Sequence, residues 1–166
     1  NFVKSGNLEA VKYGIKLGCS LDDHSIDTAI ENGYEDILKY FHEDIKIPIN
    51  KFSTEKAIQY GKLNCLKYLI KDDHVFHERD TFNCALHGYL DCLKYCIENG
   101  QEVDLKICLE ISFDECIQEF IDFLLQYNDK SKEYALEILE SKFQKSLKKN
   151  DYFKIAFYAH YYYEIF

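Results

Sequence analysis

One eight-residue phrase recurs four times along the chain, at Gly6–Tyr13, Gly33–Tyr40, Gly61–Tyr68 and Gly88–Tyr95. Each copy starts with Gly and ends in Lys-Tyr, and successive glycines are 27, 28 and 27 residues apart. A fixed period of that length is the signature of stacked structural repeats, in which each module buries its apolar face against its neighbours. Such an array presents a surface rather than enclosing a reaction site.

With Gly as position zero, compact apolar residues occupy −4 (Phe2, Ala29, Ala57, Cys84) and −3 (Val3, Ile30, Ile58, Ala85). They end short helical stretches expected over Ser25–Asn32, Thr54–Tyr60 and Thr81–His87, with Ser25, Ser53 and Thr81 as N-caps. The Gly that follows suits a left-handed helix terminus. A second helix then carries apolar positions at +2, +5, +8 and +9, with +4 small or apolar, which is a helical stripe rather than alternation. Position +3 is Glu9, Asp36, Asn64 or Asp91 and +6 is always Lys, so three of the four copies hold an acid–Lys pair three residues apart. Position +15 (Leu21, Pro48, Phe76, Val103) places one residue in each connecting loop that is expected to tuck under the next module.

After Gly100 the pattern loosens. A fifth module without its Gly fits Leu105–Ser112 and Asp114–Leu125, with Phe120, Ile121, Phe123 and Leu124 on its apolar side. Asn128–Ser131 reads as a turn and cap, and 133–149 as one long helix or two short ones. Asn150 stands where a Gly belongs, and a final helix covers 151–166. We therefore expect four repeats over 1–104, the first truncated, and degenerate repeats with capping helices over 105–166. The truncated first module and the absence of Met lead to the expectation that the chain is part of something longer.

The net charge of −9 argues against the concentrated basic face that nucleic-acid binding requires. No apolar run approaches a membrane span, and no signal-peptide pattern is present. Seven scattered Cys point to reduced thiols inside a cell. The scarcity of Arg beside plentiful Lys, Asn and Ile reads as the codon bias of an AT-rich genome. No phosphate-binding Gly loop, His-Glu-x-x-His or Gly-x-Ser-x-Gly motif appears. Cys65 and Cys92 share position +4, where Ala10 and Ile37 stand in the other copies, so Cys there serves as a small apolar residue rather than a zinc ligand. The aromatic tail (Phe157, Tyr158, His160, Tyr161, Tyr162, Tyr163) suits either a helix that seals the last core layer or a docking surface.

Ala57–Leu69 and Cys84–Tyr95, with Glu98-Asn99-Gly100, resemble the second half of an ankyrin repeat. The similarity is greatest to the short, Lys-Tyr-rich variety found in multi-copy proteins of large DNA viruses. The unit is shorter than the common one of about 33 residues. It also lacks the Thr-Pro-Leu-His turn, and the one proline, Pro48, lies elsewhere. The resemblance implies an all-α helix-turn-helix solenoid with reduced or absent β-hairpins. It implies a non-catalytic scaffold without cofactor or metal that binds a protein partner, either as a soluble adaptor or as a structural part of an assembly such as a virus particle. Mapped onto loop tips and first helices, the implied partner-binding residues are Asp22, Asp23, Asp27 and Glu31; Asn50, Lys51, Glu55 and Gln59; and Glu78, Arg79, Asp80 and Asn83.

Overall fold

The computed structural model describes residues 2–21, 24–72 and 75–165. It is 74% helix, with no strand among the described residues. The chain divides into two compact units, Asn1–Asn99 and Gly100–Phe166.

The first unit opens with a 3₁₀ turn at Phe2–Ser5 and continues through α1 (Leu8–Lys16), α2 (Ser25–Asn32), α3 (Glu35–Lys39), α4 (Ser53–Gln59), α5 (Leu63–Lys71), α6 (Asp80–His87) and α7 (Leu90–Glu98). Helices pair in order, α2 with α3, α4 with α5 and α6 with α7. The leading helices also pack on one another, α2 on α4 and α4 on α6, as do the following ones, α1 on α3, α3 on α5 and α5 on α7. The core is the sum of these layers. Residues at −4 and −3 of the last three copies are fully buried, as are Ile37, Leu38 and Phe41, then Cys65, Leu66 and Leu69, then Cys92, Leu93 and Cys96. The deepest stripe of the second helices is thus +4, +5 and +8. The expected +2 and +9 residues are only half-buried.

Three local expectations are corrected. Ser25 and Ser53 are the first helical residues and Thr81 the second, so none is the N-cap. His24, Phe52 and Arg79 hold the cap positions without a side-chain cap bond. Asn50 Oδ1 accepts from the Phe52 amide at 2.9 Å, and Asp80 Oδ2 from the His77 amide at 2.8 Å. Secondly, Lys39 pairs with Glu35 at 2.5 Å rather than with Asp36, whereas Lys12 pairs with Glu9 at 3.1 Å as expected. Thirdly, Pro48 is exposed and Ile49 is half-buried in the loop instead. The cause is a π-helical turn at Tyr40–Asp44 that continues α3. It lies in the one copy whose spacing is 28 residues, so the π turn absorbs the extra residue and shifts the loop register by one.

Two contacts explain why the phrase is conserved within the chain from copy to copy. Gly6 and Gly61 have φ of +66° and +64°, and a Cβ built on them would lie 2.7 and 2.5 Å from the rings of Tyr34 and Tyr89 in the following module. Each Lys of a Lys-Tyr pair also reaches the Tyr of the next pair. Lys12 Nζ lies 5.5 Å from the Tyr40 ring, Lys39 Nζ 5.6 Å from Tyr68, and Lys67 Nζ 5.7 Å from Tyr95. These cation–π contacts tie successive second helices together, each contributing about 0.5–1 kcal/mol at a half-exposed site.

The second unit comprises α8 (Leu105–Asp114), α9 (Gln118–Tyr127), α10 (Asp129–Lys149) and α11 (Tyr152–Ile165). The stretch 133–149 lies in one 21-residue helix. α9 begins at Gln118 rather than Asp114, because 115–117 form a turn in which Cys116 adopts φ +56°. Cys116 therefore takes a left-handed position in the turn before α9, where no Gly stands. Asn150 does the same at φ +55° before α11. Side chains of Asp104 and Asn128 cap α8 and α10. Buried Lys142 on α10 is paired with Asp114 Oδ1 at 2.5 Å. Tyr158 and Tyr161 on α11 are 2% exposed and meet the Phe113 ring edge-to-face, at centroid distances of 6.4 and 5.6 Å. The other side of the same helix leaves Tyr152, Phe153 and Tyr163 largely in solvent.

Candidate functional site

The two loops leading into α4 and α6 are latched to each other. Thr54 Oγ1 donates to the Val75 carbonyl at 3.1 Å. The His77 ring stacks on Phe52 at 5.9 Å between centroids, and its Nε2 lies 3.1 Å from the Lys51 carbonyl. A carbonyl only accepts, so this contact calls for the tautomer or cation with a proton on Nε2. Lys51 Nζ in turn sits 4.8 Å from the centre of the Phe52 ring.

Beside this latch lies a concavity of about 440 Å³. Glu55, Glu78, Arg79, Asp80 and Asn83 line it, and Phe76 and His77 complete its wall. Five of the twelve residues expected to bind a partner thus converge. Glu55, Glu78 and Arg79 are exposed and Asn83 is half-buried. Asp80 is fully buried, although the sequence reading placed it on the surface. Its Oδ2 is held by the His77 amide, while Oδ1 has no hydrogen-bond partner among the described residues. Burial pushes the Asp80 carboxyl above the ordinary carboxylate range, and the His77 amide bond opposes that shift only in part. A buried acceptor left in this condition is costly and gains from any donor brought to it.

The remaining expected residues lie elsewhere. Asp22 and Asp23 fall outside the described residues. Asp27 and Glu31 on α2 both engage Lys56 on α4, at 2.6 and 3.3 Å. Burial disfavours the Lys56 ammonium, but the bonds to Asp27 and Glu31 outweigh it and raise its pKa. Much of the negative charge that reading assigned to recognition on α2 is therefore compensated within the unit. Asn50 and Lys51 serve the loop itself, and Gln59 is exposed on α4 outside the concavity lining. Sequence reasoning missed Lys56, whose signal was an unpaired Lys one position after Glu55. It also missed Phe76 and His77, although the loop position of Phe76 had marked it as a contact residue.

A second polar cluster surrounds the π turn. Tyr68 donates to Glu43 Oε1 at 3.0 Å and meets His42 Nδ1 at 2.9 Å, while His42 Nε2 lies 3.6 Å from Asp72 Oδ2. Burial, then the Glu43 bond, raises the Tyr68 pKa, so its hydroxyl stays protonated and acts as a bridge between the two partners. Burial pushes Cys65 up to about 11, and Cys92 and Cys108 up to about 12. Among the described residues no group of three His, Cys, Asp or Glu is arranged to hold a metal ion, and no helix is long and apolar enough to cross a membrane.

Compared with known proteins, the chain matches no family model, no curated protein and no solved structure.

Proposed function

We propose that this chain is a non-catalytic protein–protein interaction scaffold of ankyrin-repeat type, and that Asn1–Asn99 is a stack of short helix-turn-helix repeats. The paired and sequentially stacked helices support the repeat reading. The observation that carries the function is the concavity in which Glu55, Glu78, Arg79, Asp80 and Asn83 meet, with one carboxylate oxygen of Asp80 lacking a donor among the described residues. Three carboxyls against one guanidinium favour a partner that brings basic or hydrogen-bond-donating side chains. A second use, as a structural part of an assembly such as a virus particle, is favoured by Tyr152, Phe153 and Tyr163, which are 76, 70 and 81% exposed.

The test is affinity capture with the intact protein and with a Glu55→Lys/Glu78→Lys variant, comparing retained proteins by mass spectrometry. Both substitutions are on exposed side chains, so melting temperatures are expected to agree within the effect of about 0.5 kcal/mol. Proteins retained by the parent and lost by the variant support the reading; identical retained sets at equal stability refute it. Asp80→Asn sharpens the test. Folding raises the Asp80 pKa, so its favourable contribution is complete only below the unfolded carboxylate pKa and is lost as pH rises through the folded one. Removing the charge should therefore stabilise the fold at pH 7, by on the order of 1 kcal/mol, and the advantage should shrink toward acid pH. The same substitution should weaken capture.

A further inference from the structure

In the Gly100–Phe166 unit, a cavity of about 520 Å³ opens between α10 and α11. That volume falls in the range of about 300–1,000 Å³ typical of ligand sites. Aromatic side chains make up most of its lining: Phe143 from α10, and Tyr158, Tyr162 and Tyr163 from α11. Tyr158 is fixed in place, 2% exposed and donating to the Phe113 carbonyl at 3.4 Å. Tyr162 and Tyr163 stand at 88° to one another with centroids 6.4 Å apart. Tyr163 is 81% exposed at the rim.

Two polar side chains share the lining, Glu140 and Gln144. Among the described residues neither has a hydrogen-bond or ion-pair partner. On α10 the neighbours of Glu140 three and four residues away are Leu136, Glu137, Phe143 and Gln144, none of them basic. Glu137 is itself engaged by Lys106 at 2.7 Å. Among the described residues Glu140 is the only charged one on the lining, and it stands beside ring faces that are themselves electronegative. An uncompensated carboxylate and several π-faces around one space are complementary to an organic cation and hostile to an anion.

We propose that the α10–α11 cavity receives a lysine or arginine side chain of a protein partner, its charged head against Glu140 and an aromatic face, its methylene stem along the rings. The Gln144 amide oxygen accepts a further N–H. The assignment of the cation to a protein partner rests on the scaffold reading; the cation chemistry itself does not.

The experiment is an NMR titration of the full isotope-labelled chain with three N-acetylated, C-amidated pentapeptides, Gly-Gly-Arg-Gly-Gly, Gly-Gly-Lys-Gly-Gly and Gly-Gly-Glu-Gly-Gly, and with tetramethylammonium chloride. The expected result is amide shifts confined to 140–144 and 158–163 for the Arg and Lys peptides, with none for the Glu peptide. Glu140→Gln should lower the affinity about 5-fold and Tyr163→Ala about 2- to 5-fold; both are exposed positions whose exchange leaves the fold intact. The proposal is overturned if the Glu peptide shifts the same residues, if Glu140→Gln leaves affinity unchanged, or if the shifts fall outside α10 and α11. Equal binding by tetramethylammonium overturns the protein source of the cation. Glu55→Lys/Glu78→Lys leaves this titration unaltered, so either reading can fail without the other.

Discussion

Gly61 and Gly18 both adopt a left-handed backbone, at φ +64° and +85°. An L side chain at either site costs roughly 1–2 kcal/mol. They differ in what surrounds them. A Cβ at Gly18 meets nothing within 4 Å, whereas at Gly61 it lies 2.5 Å from the Tyr89 ring. Gly18→Ala should therefore cost about 1 kcal/mol and Gly61→Ala about 2–3 kcal/mol, since the ring must be displaced as well. Chemical denaturation of the two variants measures the difference directly. Equal losses would mean that the tyrosine yields freely and that the recurring Gly reflects backbone conformation alone. The left-handed requirement was legible in the sequence wherever Gly marked it. It was illegible at Cys116, because a non-Gly residue at φ +56° leaves no compositional trace.

Single helices here carry two assignments at once, and α11 is the clearest case. Its apolar residues run nearly all round, so periodicity could not say which side faces inward. Tyr161 is buried against Phe113 and donates to Asp122 Oδ1 at 3.0 Å, while Tyr163, two residues on, is 81% exposed. Tyr161→Ala should cost about 3–5 kcal/mol, the range of buried aromatic truncations, and Tyr163→Ala less than about 0.5 kcal/mol. Urea denaturation followed by far-UV circular dichroism separates them. A comparable loss from both would contradict the burial assigned to α11. At this scale the helices themselves were readable from apolar spacing. Two features were not: the π turn, announced only by one interval of 28 residues, and the α10–α11 cavity, whose lining comes from two helices rather than from either one's pattern alone.

Across the whole chain the seven thiols report on folding. Cys19 is exposed, Cys116 half-buried, and Cys65, Cys84, Cys92, Cys96 and Cys108 are buried. At pH 8 a thiol-reactive disulfide reagent should modify Cys19 rapidly and Cys116 more slowly. The other five should react only as fast as their surroundings open. Mass spectrometry of quenched samples counts the labels, and rapid labelling of more than two sites would show that the helical layers are looser than described. The period of 27 to 28 residues made the helix pairs predictable because it is written in residues close in sequence. The compensation of Asp27 and Glu31 by Lys56, and the lysine-over-tyrosine contacts, join residues one module apart. A pattern read within one module does not reveal them. Those contacts also have a direction, since the cation always comes from the earlier phrase and the ring from the later one. Because all four copies carry both halves of the pair, transposing two of them would keep every contact, whereas splicing in one without its Lys would strand the ring that follows it, and one without its Tyr would strand the cation that precedes it.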